Sequence, residues 1–512
     1  MSHRKLHGTA RRRWITICAA ATIAGLCATV PAGAEAAPAT SSPATSSPAT
    51  LRPAPLTWAP CVGIPDPRLQ CAQVPVPLDY THPDGRQISI GISRLPASNP
   101  ATRRGVLLTT GGGPSMPGVP VPEQLSSVLG PRVLADYDLI GFDPRFLERS
   151  TPVSCGQPTE EPGAFWVRSA TYQPFLRTAW QAASYALDCA RSARWALPYA
   201  TTDNVARDMD RIRAALGAPK ISYVAGSYAG MLGAVYATLY PHRVDRFVLD
   251  SPSNFDVIWR GFELGRTPSF EAGFAEFAAF VAGNDAGFHL GTSAAAVEQT
   301  IKGLYRRAPF QSTGRTWTYN DLAYLTLLGM LSQQLRPVAA ADLSAVAGGA
   351  PALPVPLPIE PVTSPGVTGV PADNHTAVNT MFRCADGEWS RNPIDYLKDL
   401  HTYTAAYPDF GPVNANINPC AFWPITGGRD HVQLGTRQSP GVLVTASTSD
   451  PAVPISNATA TARAIDGSRL VTMTVDSHVP YTSGLGNSCM TSAVDTYLLD
   501  GRLPAHDVAC GS

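Results

Sequence analysis

The sequence predicts an α/β protein: a mostly parallel, doubly wound sheet interrupted by a large helical insertion. Three observations carry this. Short apolar runs alternate with helical stretches before residue 250 and again after 440, and that alternation implies right-handed crossovers between parallel strands. One strand turns abruptly into a helix with a serine at the apex, Gly226-Ser227-Tyr228. From about 254 to 440 the strand-helix rhythm stops.

The elements follow in order. Gln87–Leu95 alternates as a half-buried strand does. Gly105–Thr110 is a short apolar run ending in Gly111-Gly112-Gly113, and Asp138–Phe142 is another, stopped by Asp143-Pro144. From about Ala200 to Leu216, Val205, Met209, Ile212 and Leu216 recur at helical spacing, and Gly217 closes the helix. Ile221–Ala225 reads as a strand leading into a helix to about Tyr240, and Arg246–Leu249 is the next strand. Gly441–Ala446 and Leu470–Val475 are two more, separated by helix-like Ala458–Ile465. Within 254–440, Phe270–Ala282, Ala294–Arg306 and Leu322–Leu335 are helix-like, and 348–372 is rich in Pro and Gly. The expected organisation is a core formed by 58–253 and 441–512, with 254–440 as a helical cap over the sheet's carboxyl edge.

The chain has 512 residues, with 39 Lys+Arg against 39 Asp+Glu. No basic surplus is available for phosphate, so a nucleic-acid partner is not expected. Residues 1–36 read as a signal peptide: basic to Arg13, apolar from Trp14 to about Val30, then Ala32-Gly33-Ala34 and Ala34-Glu35-Ala36. The apolar run is too short for a membrane anchor. A secreted, extracellular, monomeric protein is expected, exported by the general or the twin-arginine route, with no membrane association after cleavage. Cleavage removes five basic groups and one acid, leaving 34 against 38, a net of −4. Residues 37–57 form a Pro/Ser/Thr leader without apolar surface to bury.

Cleavage also leaves eight of the ten cysteines, and an even number in an exported protein favours disulfides over metal ligation. Eight cysteines allow 105 pairings. They fall into four sequential couples, so the expected bonds are Cys61–Cys71, Cys155–Cys189, Cys384–Cys420 and Cys489–Cys510. No H-E-x-x-H or comparable ligand pair occurs, and no nucleotide-binding glycine motif follows the triple glycine, so neither a metal nor a cofactor is expected. His401, His431 and His506 read as isolated surface residues.

The chemistry centres on Ala225-Gly226-Ser227-Tyr228-Ala229, a G-x-S-x-G elbow with alanine in both outer positions. Hydroxyl attack needs a base, and the base needs an orienting carboxylate. Asp450 and His478 each follow a later strand, in the order that strand-helix folds require. Each alone would pass for a turn or surface residue; in order, just past three strand ends, they compose a Ser-His-Asp triad. The amide of Tyr228 and that of Gly112 or Gly113 are the expected oxyanion donors.

With these residues in view, the chain resembles the secreted tripeptidyl aminopeptidases of actinomycetes, α/β-hydrolases related to proline iminopeptidases. The resemblance runs from about Trp58 to Cys510. It is carried by Leu69-Gln70-Cys71-Ala72, Val74-Pro75-Val76-Pro77-Leu78-Asp79-Tyr80, Gly141-Phe142-Asp143-Pro144-Arg145, Ser150-Thr151-Pro152-Val153-Ser154-Cys155, the Ser227 elbow, and the blocks around Asp450, His478 and Cys489. It implies release of peptides from a free amino terminus, with Ser227 as nucleophile, His478 as base then acid, Asp450 as orienting carboxylate, and the insertion capping the site. Three departures stand out. Ala225 and Ala229 replace glycines; Thr109-Thr110-Gly111-Gly112-Gly113-Pro114 replaces an Asn-Pro-Gly-Gly-Pro-Gly type of loop; and Phe146-Leu147-Glu148 replaces a Gly-x-Gly turn. Bulky residues there predict altered substrate choice.

An exopeptidase must hold an ammonium group, which calls for carboxylates near the site. Glu148, Glu263, Asp386 and Glu388 are the candidates, with Glu271 and Glu276 behind them, although each alone reads more readily as a solvated surface charge. The same triad would serve an esterase or amidase acting on a small secreted metabolite, and a hydrolase fold that had lost catalysis would serve as a binding protein.

Overall fold

A computed structural model describes residues 55–158, 175–254, 257–348, 367–427, 432–435 and 438–511. The expected signal peptide, most of the expected leader, His431 and most of the Pro/Gly-rich 348–372 section lie outside them. The strands are β1 (Ala59–Pro60), β2 (Gln70–Pro77), β3 (Gln87–Leu95), β4 (Gly105–Thr109), β5 (Tyr137–Phe142), β6 (Ile221–Gly226), β7 (Val244–Asp250), β8 (Phe310–Ser312), β9 (Arg315–Trp317), β10 (Leu443–Ser447), β11 (Arg469–Met473) and β12 (Val508–Cys510). Ten of them form one sheet in the order β1-β2-β3-β5-β4-β6-β7-β10-β11-β12, while β8 and β9 make a separate hairpin. Pairing is antiparallel from β1 through β3 to β5 and parallel across the rest. This is the order and polarity of an α/β-hydrolase sheet, as the sequence predicts.

Sequence pattern does not announce strand β2, the longest of the strands it misses, because Pro75 and Pro77 sit inside it. They are tolerated because β1 covers the outer side of β2 only at Gln70 and Cys71, so beyond that point a missing N–H faces an open edge. In the central strands the faces alternate. Tyr223, Ala225, Phe247 and Leu249 join a core with the buried helix Tyr228–Leu239, whereas Val224 and Val248 point the other way, toward Val133, Val494 and Leu498.

The stretch between β7 and β10 divides into two parts. Helices Arg260–Gly283, Ala294–Arg307, Tyr319–Leu331 and Arg336–Ala347 share their own core of Phe270, Phe274, Phe277, Val297, Leu304, Leu325 and Leu343. Helix Asn374–Asp386 instead packs Ala377, Val378, Met381 and Phe382 into the main core. The helix expected to reach Leu335 ends at Leu331, because Pro337 cannot donate back into a continuing helix and opens a new one. No helix among the described residues is long and apolar enough to cross a membrane.

The structure joins Cys61–Cys71, Cys155–Cys189, Cys384–Cys420 and Cys489–Cys510. Arg145 is fully buried and spends all five of its donors. Nε and Nη2 grip Asp208 at 2.8 and 2.7 Å, and the guanidinium also reaches the carbonyls of Pro77, Leu78 and Tyr199. It thereby ties the Gly141–Arg145 block to the Val74–Tyr80 block, and Tyr80 closes the circuit through its hydroxyl to Asp208, 2.7 Å away.

Phe146 and Glu148 hold φ of 74° and 38°, in the left-handed region that favours glycine. The turn keeps a glycine-like backbone while the bulk goes elsewhere: Phe146 and Leu147 are buried in the core, and Phe146 meets Trp195 edge-on at 5.6 Å. The expectation of altered substrate choice gains no support from Phe146 or Leu147, whose bulk core packing absorbs.

Candidate active site

Strand β6 delivers Ser227 in a conformation that only a tight elbow imposes, φ 60° and ψ −128°, with its amide bonded to the Asp250 carbonyl at 2.8 Å. The alanines at 225 and 229 are buried and cause no obstruction. Gly226 is the position that admits nothing larger. A Cβ there would lie 2.7 Å from Val479 Cγ1 and 3.0 Å from Thr482 Oγ1, so the elbow is pressed against the loop that carries His478. On the opposite side a Cβ on Gly112 would stand 3.4 Å from Ser227 Cβ, which puts the triple-glycine loop beside the serine. Gly113 follows with φ 44°, and Met116 N–H donates back to the Gly112 carbonyl at 3.2 Å, closing the loop. The amide of Tyr228 opens the helix that starts at the serine, where the aligned peptide dipoles favour negative charge.

Asp450 lies just past β10 and His478 just past β11. The His478 Nδ1 is 2.8 Å from Asp450 Oδ2 and 3.0 Å from Oδ1, and Asp450 Oδ1 also accepts the amides of Ala452 and Val453. Four contacts thus fix the carboxylate while it fixes the imidazole. Asp250, at the end of β7, is a residue that sequence reasoning passes over. It accepts from the Tyr481 and Thr482 amides and from the hydroxyls of Thr482 and Thr445, so it anchors the far side of the His478 loop. Its signal was available: it is an acid at a strand end, as Asp450 nearly is. Asp143 plays a matching part under the glycine loop, taking the amides of Gly118 and Val119. Burial pushes the carboxyls of Asp250 and Asp143 up to about 6.

The acids expected to meet an ammonium are placed differently. Glu148, Glu263 and Asp386 are buried, not solvated, and each is engaged inside the protein. Glu148 Oε1 meets His375 Nε2 at 2.9 Å. Glu263 is held by Arg383 on one oxygen and Arg266 on the other, at 2.5 and 2.6 Å. Asp386 takes both the amide and the hydroxyl of Thr202, whose Oγ1 is 2.9 Å from the Tyr228 hydroxyl. Glu271 caps the amides of Asp409 and Phe410, and Glu388 and Glu276 are exposed. His401 and His506 are exposed.

Burial pushes Asp386 up to about 7, so the folded protein binds its proton more tightly than the unfolded chain does. Its contribution to stability is therefore full below about pH 4 and is lost as pH rises through 7. Asp386→Asn is expected to flatten part of the wild-type loss of urea resistance between pH 5 and pH 8. An unchanged slope between those pH values would contradict this assignment.

A sheet of this order, with a serine elbow at the end of its central strand and a carboxylate-bound histidine beside it, defines a serine hydrolase of the α/β-hydrolase class. Residues 407–510 match the family model described as TAP-like protein. The chain is 33% identical to the tripeptidyl aminopeptidase of Streptomyces lividans, over 87% of this chain and 84% of the relative. It is 28% identical to the serine protease Hip1 of Mycobacterium tuberculosis, over 86% and 87%. It is 28% identical to a carboxylesterase B of the same organism, over 86% of each. The chain belongs to the tripeptidyl aminopeptidase family, serine peptidases of the α/β-hydrolase type.

Proposed function

We propose that this protein is an exported serine exopeptidase that releases short peptides from free amino termini. In this reading Ser227 attacks the scissile carbonyl while His478 Nε2 takes its proton. Asp450 keeps the other ring nitrogen protonated, so that Nε2 is the one left to accept. The oxyanion faces the amides of Tyr228 and of Gly112 or Gly113. His478 then gives its proton to the departing amine, and water releases the acyl group from Ser227 by the same steps in reverse. The four disulfides suit an oxidising, extracellular setting. The helices between β7 and β10 act as the cap.

One observation carries the exopeptidase reading. A cavity of about 620 Å³ under the cap is lined by Asp373, Thr376, Asn379, Thr380 and Arg383 along helix Asn374–Asp386 and the residue before it. The same helix touches the serine elbow, because Phe382 packs on Tyr228 at 6.4 Å and Asn379 reaches Ser115 beyond the glycine loop at 3.4 Å. In this cavity Asp373 is 1% exposed. Its Oδ2 accepts from the amides of Cys155 and Gln157, while Oδ1 has no partner among the described residues. A buried carboxylate oxygen left unpaired costs free energy, and a substrate ammonium would satisfy it. Asp373 thus replaces the engaged acids as the amino-terminal anchor.

Asp373→Asn keeps an oxygen for the two amides, and is expected to raise KM about 10- to 100-fold for a free-amine tripeptidyl chromogenic amide. Its N-acetylated counterpart should be little affected. Equal effects on both substrates would refute the anchor; a wild-type enzyme indifferent to the free amine would refute the exopeptidase. The esterase or amidase reading, which the carboxylesterase relative favours, expects that indifference together with rapid cleavage of simple esters.

A further inference from the structure

The loop that carries His478 is gripped from the cap as well as from the sheet. His478 N–H donates to the carbonyl of Leu331, the last residue of helix Tyr319–Leu331, at 2.8 Å, and Ser477 Oγ donates to the same carbonyl at 3.3 Å. Two residues earlier, the Asp476 carboxylate receives Gln333 Nε2 on one oxygen and Arg336 Nη2 on the other. Arg336 is itself almost fully buried and points its Nε at the Gly329 carbonyl, 3.3 Å away. The short turn between two cap helices thus makes contacts with all three residues 476–478. A second cap helix leans on the acid loop, where a Cβ on Gly273 would lie 2.7 Å from Pro451 Cβ.

We infer that the Arg336–Asp476 ion pair is a positioning device that sets His478 toward Ser227, making the cap part of the catalytic machinery as well as its cover. The inference rests on the triad reading above. From the sheet side, Asp250 and Ser447 hold only the flanks of this loop: Asp250 the amides of 481 and 482, Ser447 the Ser477 carbonyl. The backbone amide of His478 is held by Leu331. Arg336 fixes that carbonyl's turn against Asp476, and a guanidinium can bridge a carboxylate and a carbonyl at once where a shorter point charge spans them less well. Loss of the pair frees the loop by the fraction of an ångström that a proton transfer does not tolerate.

The test uses the full mature chain with Arg336→Ala, Arg336→Lys, Asp476→Asn and the Arg336→Ala/Asp476→Asn pair. The substrates are a peptidyl amide and a small acetyl ester that does not fill the cavity, together with the rate at which a fluorophosphonate labels Ser227. Arg336→Ala and Asp476→Asn should each lower kcat at least 10-fold on both substrates and slow labelling by a similar factor, with KM within about threefold. The double variant should be no worse than the worse single one, and Arg336→Lys should recover part of kcat. An effect confined to KM, or to the peptide alone, would assign the pair to substrate binding and overturn the inference. So would additive losses in the double variant, or unchanged labelling in Asp476→Asn, the isosteric change that keeps the fold if Arg336→Ala does not. Absence of labelling in the wild type would instead defeat the triad reading itself.

Discussion

Ser227→Ala is expected to lower kcat by about 10⁴- to 10⁶-fold while changing stability by no more than about 0.5 kcal/mol. The two halves of that expectation come from different parts of the structure. The loss is large because, in the proposed triad, nucleophile, base and carboxylate act as a unit. Removing the hydroxyl leaves the elbow amides and the cavity, which together give only a residual rate over water. The stability change is small because the serine side chain caps nothing: helix Tyr228–Leu239 begins at Ser227 without a side-chain hydrogen bond. The left-handed backbone at 227 costs an alanine about what it costs a serine. Steady-state kinetics on purified variant, with a denaturation curve beside it, decides the matter. Residual turnover within 100-fold of wild type would reject Ser227 as nucleophile.

The largest stability effect is expected at Arg145. Arg145→Met leaves Asp208 buried without its counter-charge, together with three carbonyls without this donor, and should cost about 3–5 kcal/mol. Adding Asp208→Leu to that variant should recover a good part of the loss, because an apolar pair of similar volume removes the orphaned charge. Urea unfolding of the two variants and the wild type checks both statements. A cost below about 1 kcal/mol for the single change would show that the network is ornamental. Arg145→Lys should fall between, since a point charge cannot occupy five directions at once.

The sheet was legible in the sequence because its central strands are buried on both faces, and buried strands read as short apolar runs that only turn residues interrupt. Val106–Leu108, Val224 and Phe247–Leu249 are of this kind. Strand β2 was not legible, since its prolines are permitted by an edge that no local pattern reveals. The three residues of the proposed triad stood out in the sequence because each follows a strand, and strand ends on one edge of a parallel sheet are brought together whatever lies between them. The acids did not. Whether a carboxylate is solvated, as Glu388 is, or locked between two arginines, as Glu263 is, depends on residues 120 positions apart. Asp373 and Asp476 gave no sign for the same reason: their partners, Cys155 and Arg336, come from distant elements.

The turn after Asp143-Pro144-Arg145 has a consequence for how such a chain can change over time. Glycine at 146 would relieve about 1–2 kcal/mol of left-handed strain. It would also empty the space beside Trp195, and deleting a buried phenylalanine costs about 3–5 kcal/mol. The reverse step is thus uphill even though it restores the easier backbone. Phenylalanine at 146 therefore holds its own place, because the change that eases the backbone empties the core. What the fold fixes at this site is a dihedral angle, and the volume beside Trp195 decides which residue holds it.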